Sequence, residues 1–168
     1  FLGEGPVRSI KKGLVLRTNI IGWAQGSKAS FAEWVLNSLI NATPLNLFDD
    51  VHFSPLHVDF LASVVEEIID RPVYGLYHCG SRDSITKYDF GKQMAELFQV
   101  SEAKIKKVSL NEKTFKARRP KNMALNTNKL SSILKCDLPC VLDAIALMKQ
   151  QFDQHSNSSG VGVNNERN

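Results

Sequence analysis

The chain has 168 residues, 43% apolar and 23% charged, which suits one soluble globular domain with a real core and is too short for two ordinary ones. No apolar run approaches the roughly 18 residues of a membrane span, and Glu4, Arg8, Lys11 and Lys12 break up the letters a signal peptide would need, so a cytoplasmic location without membrane contact is expected. The formal charge of +4 conceals an asymmetry: residues 104–129 carry nine Lys or Arg against the single acid Glu112, a balance of +8 that leaves −4 elsewhere, and basicity this local points to a site for an anion.

In chain order, "GLVLRTN" (13–19) is an apolar run that reads as a buried parallel strand. "SFAEWVLNSLINA" (30–42) reads as a helix capped by Ser30, with Phe31, Trp34, Val35 and Leu39 near helical spacing. "PLNLF" (44–48) is a candidate strand. "HVDFLASVVEEIID" (57–70) shows the clearest helical stripe, formed by Val58, Leu61, Ala62, Val65, Ile68 and Ile69, and Pro72 ends it. "VYGLYHCG" (73–80) resumes as a strand. "SITKYDFGKQMAELFQV" (84–100) then opens a helix through a capping-box-like spacing of Thr86 and Asp89 and buries Phe90, Met94, Leu97 and Phe98. "KKVSL" (106–110) is a further candidate strand, and "NTNKLSSIL" (126–134) is a short helix capped by Asn126. In "DLPCVLDAIALMKQQF" (137–152) Pro139 occupies the first turn, and Val141, Ile145, Met148 and Phe152 share a face. The polar, aperiodic letters of residues 153–168 predict a flexible tail. Strands alternating with helices make the fold class α/β.

Cys79, Cys136 and Cys140 are an odd number without C-x-x-C spacing, which favours reduced structural thiols over a disulfide framework or a zinc site. Tyr88 and Lys92 have the Y-x-x-x-K spacing that lets a lysine lower a tyrosine's pKa for proton transfer. Their helix has a clear core stripe on its other face, so a packing or surface role is expected for the pair. "GLYHCGSR" lacks the G-K-[ST] ending of a phosphate-binding loop, and no G-x-G-x-x-G turn is present. His52 and His57 flank Pro55 without an obvious third ligand, so packing or hydrogen bonding is favoured over metal binding. There remains "FKARRPKNMALNT" (115–127). The forked guanidiniums of Arg118 and Arg119 suit phosphate oxygens, and Pro120 stiffens the loop that presents them; a solvated charged loop is the alternative.

Taken together, "VLRTNIIGW", "SFAEWV", "FSPLHVDFLA", "GLYHCGSRDSITKYDFGKQMAELF" and "ARRPKNMALNTNKL" resemble, in order and spacing, the dTDP-4-dehydrorhamnose reductase-like (RmlD-type) extended short-chain dehydrogenases, which act on sugar nucleotides. The resemblance covers nearly all of residues 13–152. It implies the C-terminal part of a Rossmann-type protein: the last parallel strand or strands plus a small α/β substrate-binding domain, together spanning residues 1–152. It places "FLGE" directly after the family's catalytic Y-x-x-x-K, so no catalytic residue is expected in this chain. It assigns Arg119, with Arg118 beside it, to the pyrophosphate of a nucleoside-diphosphate sugar. It sets Thr18 and Asn19 at the strand end bordering the nicotinamide and sugar, and Ser54, Pro55 and His57 in a loop lining the substrate pocket. Ile20 stands where some members carry a substrate-contacting tryptophan, which makes the nearby Trp23 a candidate contact. Phe60 replaces the second acid of a common Asp-Asp pair, so the sugar is left open.

The implied activity of the intact enzyme is hydride transfer from NAD or NADP to a keto-sugar carbon, with the cofactor-binding half supplied upstream. No cofactor is expected on this chain alone, and self-association is expected through the strand edge left uncovered. Two alternatives come from other classes: a non-catalytic sugar-nucleotide-binding or regulatory subunit, and a nucleic-acid-binding basic module. The second is disfavoured because Phe115 is the only aromatic residue interleaved in the basic segment.

Overall fold

The structure, a computed structural model, describes residues 3–24 and 28–159. Helix α1 (Glu4–Ser9) is clamped to strand β1 (Leu14–Thr18) by Arg17, whose Nε and Nη2 each donate to the Glu4 carboxylate at 2.8 Å. After β2 (Ile20–Ile21) the chain turns at Gly22, whose φ of +152° lies where side chains rarely go and whose missing Cβ would meet Val58 at 2.9 Å. Helix α2 (Phe31–Ile40) opens with a full capping box: Ser30 Oγ accepts from the Glu33 N–H at 3.2 Å, and the Glu33 carboxylate accepts from the Ser30 N–H at 2.7 Å.

Three short strands follow, β3 (Leu45–Phe48), β4 (His52–Phe53) and β5 (Leu56–His57), before helix α3 (Val58–Asp70). His57 caps α3, its Nδ1 accepting from the Asp59 N–H at 3.2 Å. Strand β6 (Gly75–Cys79), β7 (Ile85–Thr86) and helix α4 (Lys87–Leu97) come next, and Thr86 Oγ1 caps α4 by accepting from the Asp89 N–H at 3.0 Å. The chain continues through β8 (Ile105–Val108), a 3₁₀ turn (Leu110–Glu112), β9 (Asn122–Met123), α5 (Asn128–Leu134) and α6 (Val141–Ser159).

β1 and β6 pair in parallel, from Leu14 opposite Gly75 to Thr18 opposite Cys79, and α3 lies within the crossover between them. β2 pairs with β5 and β3 with β8, both in parallel, while β4 lies between antiparallel β7 and parallel β9. Two cores result. The larger joins α2, β3, α4 and α6 through Leu36, Leu45, Phe90, Met94, Ile145 and Met148; the smaller packs α3 and α5 against β6 through Val64, Ile68, Tyr77, Leu130 and Leu134. A Rossmann-type parallel pair beside a small α/β unit is the architecture expected from the sequence.

Several local expectations are corrected. Helix α3 buries Val64 and Ile68, whereas Val58, Val65 and Ile69 are exposed, Ile69 to 69%. Apolar residues occupy most of that helix's circumference, so periodicity alone could not select the face that meets the sheet. Trp34, which shares the helical spacing of Val35 and Leu39, is 45% exposed. The helix of residues 128–134 has Thr127 as its N-cap position, and Asn126 serves one residue earlier by accepting from the Asn128 N–H at 3.1 Å. Pro139 precedes α6 instead of occupying its first turn, and the Val141 N–H is met by Asp83 at 2.8 Å.

Residues 153–159 of the tail expected over 153–168 are helical, because α6 runs on to Ser159. Lys149 pairs with Asp153 one turn on, and Gln151 donates to Asp59 at 2.7 Å, which ties the extended helix to α3. Residues 160–168 lie outside the described residues. No helix among the described residues is long and apolar enough to cross a membrane.

Candidate functional site: the arginine loop and its aromatic cavity

The basic loop is anchored at both ends by groups other than its arginines. Pairing of β9 with β4 fixes the exit, and the Lys121 carbonyl accepts from the His52 N–H at 2.8 Å. Asp50 collects the other end, accepting from Lys121 Nζ at 2.8 Å, from Ser109 Oγ at 2.7 Å and from the Leu110 N–H at 2.9 Å. These bonds, led by Lys121, hold the Asp50 carboxyl well below the usual carboxylate range. Lys121 therefore anchors the loop.

That arrangement leaves Arg118 and Arg119 presented ahead of Pro120. The Arg119 guanidinium lies 4.6 Å from the centroid of the Phe115 ring, which meets Phe48 edge-on at 6.3 Å. Arg119 lines a cavity of about 340 Å³ whose walls include Phe31, Trp34, Phe48, Lys87, Pro120 and Met123. A volume of this size falls at the lower end of the roughly 300–1,000 Å³ of small-molecule sites. Arg118 and Arg119 also line a hollow of about 590 Å³ with Lys113 and Phe115.

Lys87 was not foreseen as a site residue. It opens α4, its N–H donates to the Val51 carbonyl at 3.0 Å, and its Nζ lies 3.8 Å from the Phe31 centroid and 3.2 Å from that of Phe53. Burial pushes its pKa down to about 8. Among the described residues, Lys87 and Arg119 are the charged ones of the cavity wall, and none is a carboxylate. In sequence Lys87 is one lysine among many, and only the folding of β4 and α2 against α4 gives it aromatic neighbours.

The remaining expected residues form a second group, centred on the end of β1. The Asn19 side chain accepts from the Ser54 N–H at 3.3 Å, and its carbonyl accepts from the Leu56 N–H at 2.8 Å. Ser54 Oγ accepts from the Leu125 N–H at 3.2 Å, and the Pro55 carbonyl accepts from the Ser81 hydroxyl. Ser54, Pro55 and His57 are all buried, His57 to 0% exposure, and none of them lines the Arg119 cavity. Burial lowers the His57 pKa, against partial compensation from Asp59 and Gln151. Thr18 Oγ1 and Trp23 Nε1 are buried without a hydrogen-bond partner among the described residues, and the Trp23 ring stacks on Phe152 at 6.0 Å. The structure thus brings Asn19 and Ser54 together but keeps them apart from the cavity that Arg119 lines.

Other candidates have structural roles. Tyr88 packs against the larger core beneath the Lys107 ammonium at 4.8 Å, and Lys92 pairs with Glu102 at 3.7 Å. His52 is exposed on β4. Cys79 is buried, which raises its thiol pKa to about 11, whereas Cys136 is exposed. The basic segment also disperses: Lys129, exposed on α5, donates to the Leu76 carbonyl of β6 at 2.9 Å.

A family model described as the RmlD substrate binding domain matches residues 1–153. The chain belongs to this family. It is similar to the probable low-salt glycan biosynthesis reductase Agl14 of Haloferax volcanii, with 26% identity over 92% of this chain and 53% of that protein. Among solved structures it resembles a dTDP-4-dehydrorhamnose reductase of Clostridium acetobutylicum, with a TM-score of 0.75 and 23% identity over 90% of this chain and 53% of the other. It also resembles the dTDP-4-dehydrorhamnose reductase of Bacillus anthracis solved with NADP, with a TM-score of 0.73 and 19% identity over 82% of this chain and 48% of the other. The chain thus spans about half the length of the relatives it matches.

Proposed function

We propose that this chain is the nucleotide-sugar-holding portion of an NAD(P)-dependent reductase that reduces a keto-sugar. One observation carries the reading: Arg119 sits on the wall of a cavity lined also by Phe31, Trp34 and Phe48, with no carboxylate among the described lining residues to compete for its charge. Aromatic walls suit a nucleobase, and a guanidinium in a Pro-stiffened loop suits the diphosphate next to it. Family membership supports the same reading.

The nicotinamide group, when bound, would supply the hydride. Thr18 and Asn19 are the residues here that would border it, since ligands of parallel sheets lie beyond the carboxyl ends of the strands. The unpartnered, buried Thr18 hydroxyl suits such a neighbour. These 168 residues contain no G-x-G-x-x-G turn to cradle a dinucleotide.

A nucleic-acid reading has less support, because Lys107, Lys121 and Lys129 are engaged with Tyr88, Asp50 and the Leu76 carbonyl on separate elements. Calorimetry on the full-length protein separates the two. dTDP-glucose should bind at least about tenfold more tightly than inorganic pyrophosphate, because the base adds its own contacts. Equal affinity for the two, or preferential and steeply salt-dependent binding of single-stranded DNA, would overturn the proposal.

A further inference from the structure

We propose that Lys87 is the second cation of the nucleotide site, meeting Arg119 across the aromatic cavity to hold the anionic part of the ligand. This inference rests on the nucleotide-sugar reading and adds a residue that determines how the site binds. The geometry motivates it. The Lys87 ammonium is enclosed by the faces of Phe31 and Phe53, and its side chain reaches the same cavity wall as Arg119.

The carboxylates on the packed elements are committed elsewhere or exposed. Glu33 on α2 closes the capping box, Asp89 on α4 accepts from Thr86 Oγ1 at 2.6 Å, Asp50 is held by Lys121, and Asp49 is exposed. His52, on β4, is exposed. An ammonium taken from water without a carboxylate partner is strained, and the two ring faces return only part of its hydration. An anion brought into the cavity supplies the rest.

A chemical consequence follows. With a pKa of about 8, Lys87 is about half charged at pH 8 in the free protein. A bound anion favours the charged form and raises that pKa, so binding takes up a proton. For a rise of one unit the uptake at pH 8 is about 0.4 proton, and affinity falls about fivefold between pH 7 and pH 9. Guanidinium groups and the phosphates of a nucleoside-diphosphate sugar keep fixed charges in this window, so neither produces the effect.

The test is calorimetry of dTDP-glucose binding to the full-length protein from pH 7 to pH 9, at pH 8 in buffers of different ionisation enthalpy. Wild type should show the proton uptake and the affinity loss. Lys87→Met should lose affinity about fivefold to tenfold at pH 7 and show no pH dependence, while Lys87→Arg should hold its affinity through pH 9. Arg119→Ala should weaken binding at every pH yet keep the proton uptake. Wild-type binding that is flat with pH and takes up no proton would overturn the assignment of Lys87 while leaving the nucleotide reading standing. That readout needs no variant, so a failure of Lys87→Met to fold would not protect the proposal. Absence of dTDP-glucose binding at any pH would overturn the nucleotide reading, and the role of Lys87 with it.

Discussion

Arg119 and Lys121 stand two positions apart in the sequence, yet the fold gives them different roles. Lys121 closes a network on Asp50, while Arg119 stacks over Phe115 and faces the cavity. Arg119→Ala should therefore weaken dTDP-glucose binding by about 1.5–3 kcal/mol, the usual worth of a charge-assisted hydrogen bond. Arg119→Lys should restore only part of the loss, because a point charge cannot reproduce the fork. Lys104→Ala, in the same basic segment but outside the loop, should change little once salt screens the long-range field. Equal losses at Arg119 and Lys104 in calorimetry would mean a diffuse basic patch.

The anchor makes a separate prediction at the same scale. The folded-state pKa of Asp50 lies below the unfolded value of about 3.9, so its stabilising contribution is complete above that value and is lost as pH falls through the folded pKa. Asp50→Asn should flatten the acid limb of a stability–pH curve and speed hydrogen exchange at Leu110 and across residues 113–121. Unchanged exchange there would show that Asp50 does not hold the loop.

At the scale of elements, the caps of α2 and α4 and the apolar stripe of α4 were readable because they are local. Ser30, Thr86 and the stripe of α4 behave as their spacing implies. Pairing was not readable, since the register of β1 with β6 joins residues about sixty positions apart and leaves no mark in either strand's own letters. The cavity was hidden for the same reason: α2, β3, α4 and the arginine loop each contribute one wall, and Trp34 has the same helical spacing as the core residues it was grouped with. Gly91 shows the contrast within one helix. A glycine inside a helix costs about 1 kcal/mol relative to alanine. The structure gives the reason for it, because a Cβ there would come within 2.3 Å of the buried Leu47 Cδ1 where α4 lies against β3. Gly91→Ala should destabilise the protein by about 1–3 kcal/mol in urea unfolding, and a stabilised variant would contradict the close packing. His57 ties an element to pH. Its folded pKa is lowered by burial, so its neutral form contributes stability above the unfolded value of about 6.5 that is lost as pH falls below it. His57→Asn keeps an acceptor at the cap and should remove that slope, while lowering overall stability by leaving space in the core.

For the whole molecule, two cores in 168 residues mean that neither is large, and the exposed apolar residues of α3 add surface that water does not favour. β1 has β6 along one side, and no strand among the described residues pairs with its other edge. The 168-residue chain on its own should therefore associate with itself as concentration rises, which sedimentation equilibrium would detect; a strictly monomeric species would count against this. Such association is independent of the proposed nucleotide site, whose cavity is lined by residues of α2, β3 and α4 beside the larger core. The most direct test of that site is a crystal structure of the full-length protein with dTDP-glucose. The account predicts a diphosphate oxygen within hydrogen-bonding distance of the Arg119 guanidinium and the base against Phe31, Trp34 and Phe48. A ligand bound elsewhere, with Arg119 turned to solvent, would contradict it.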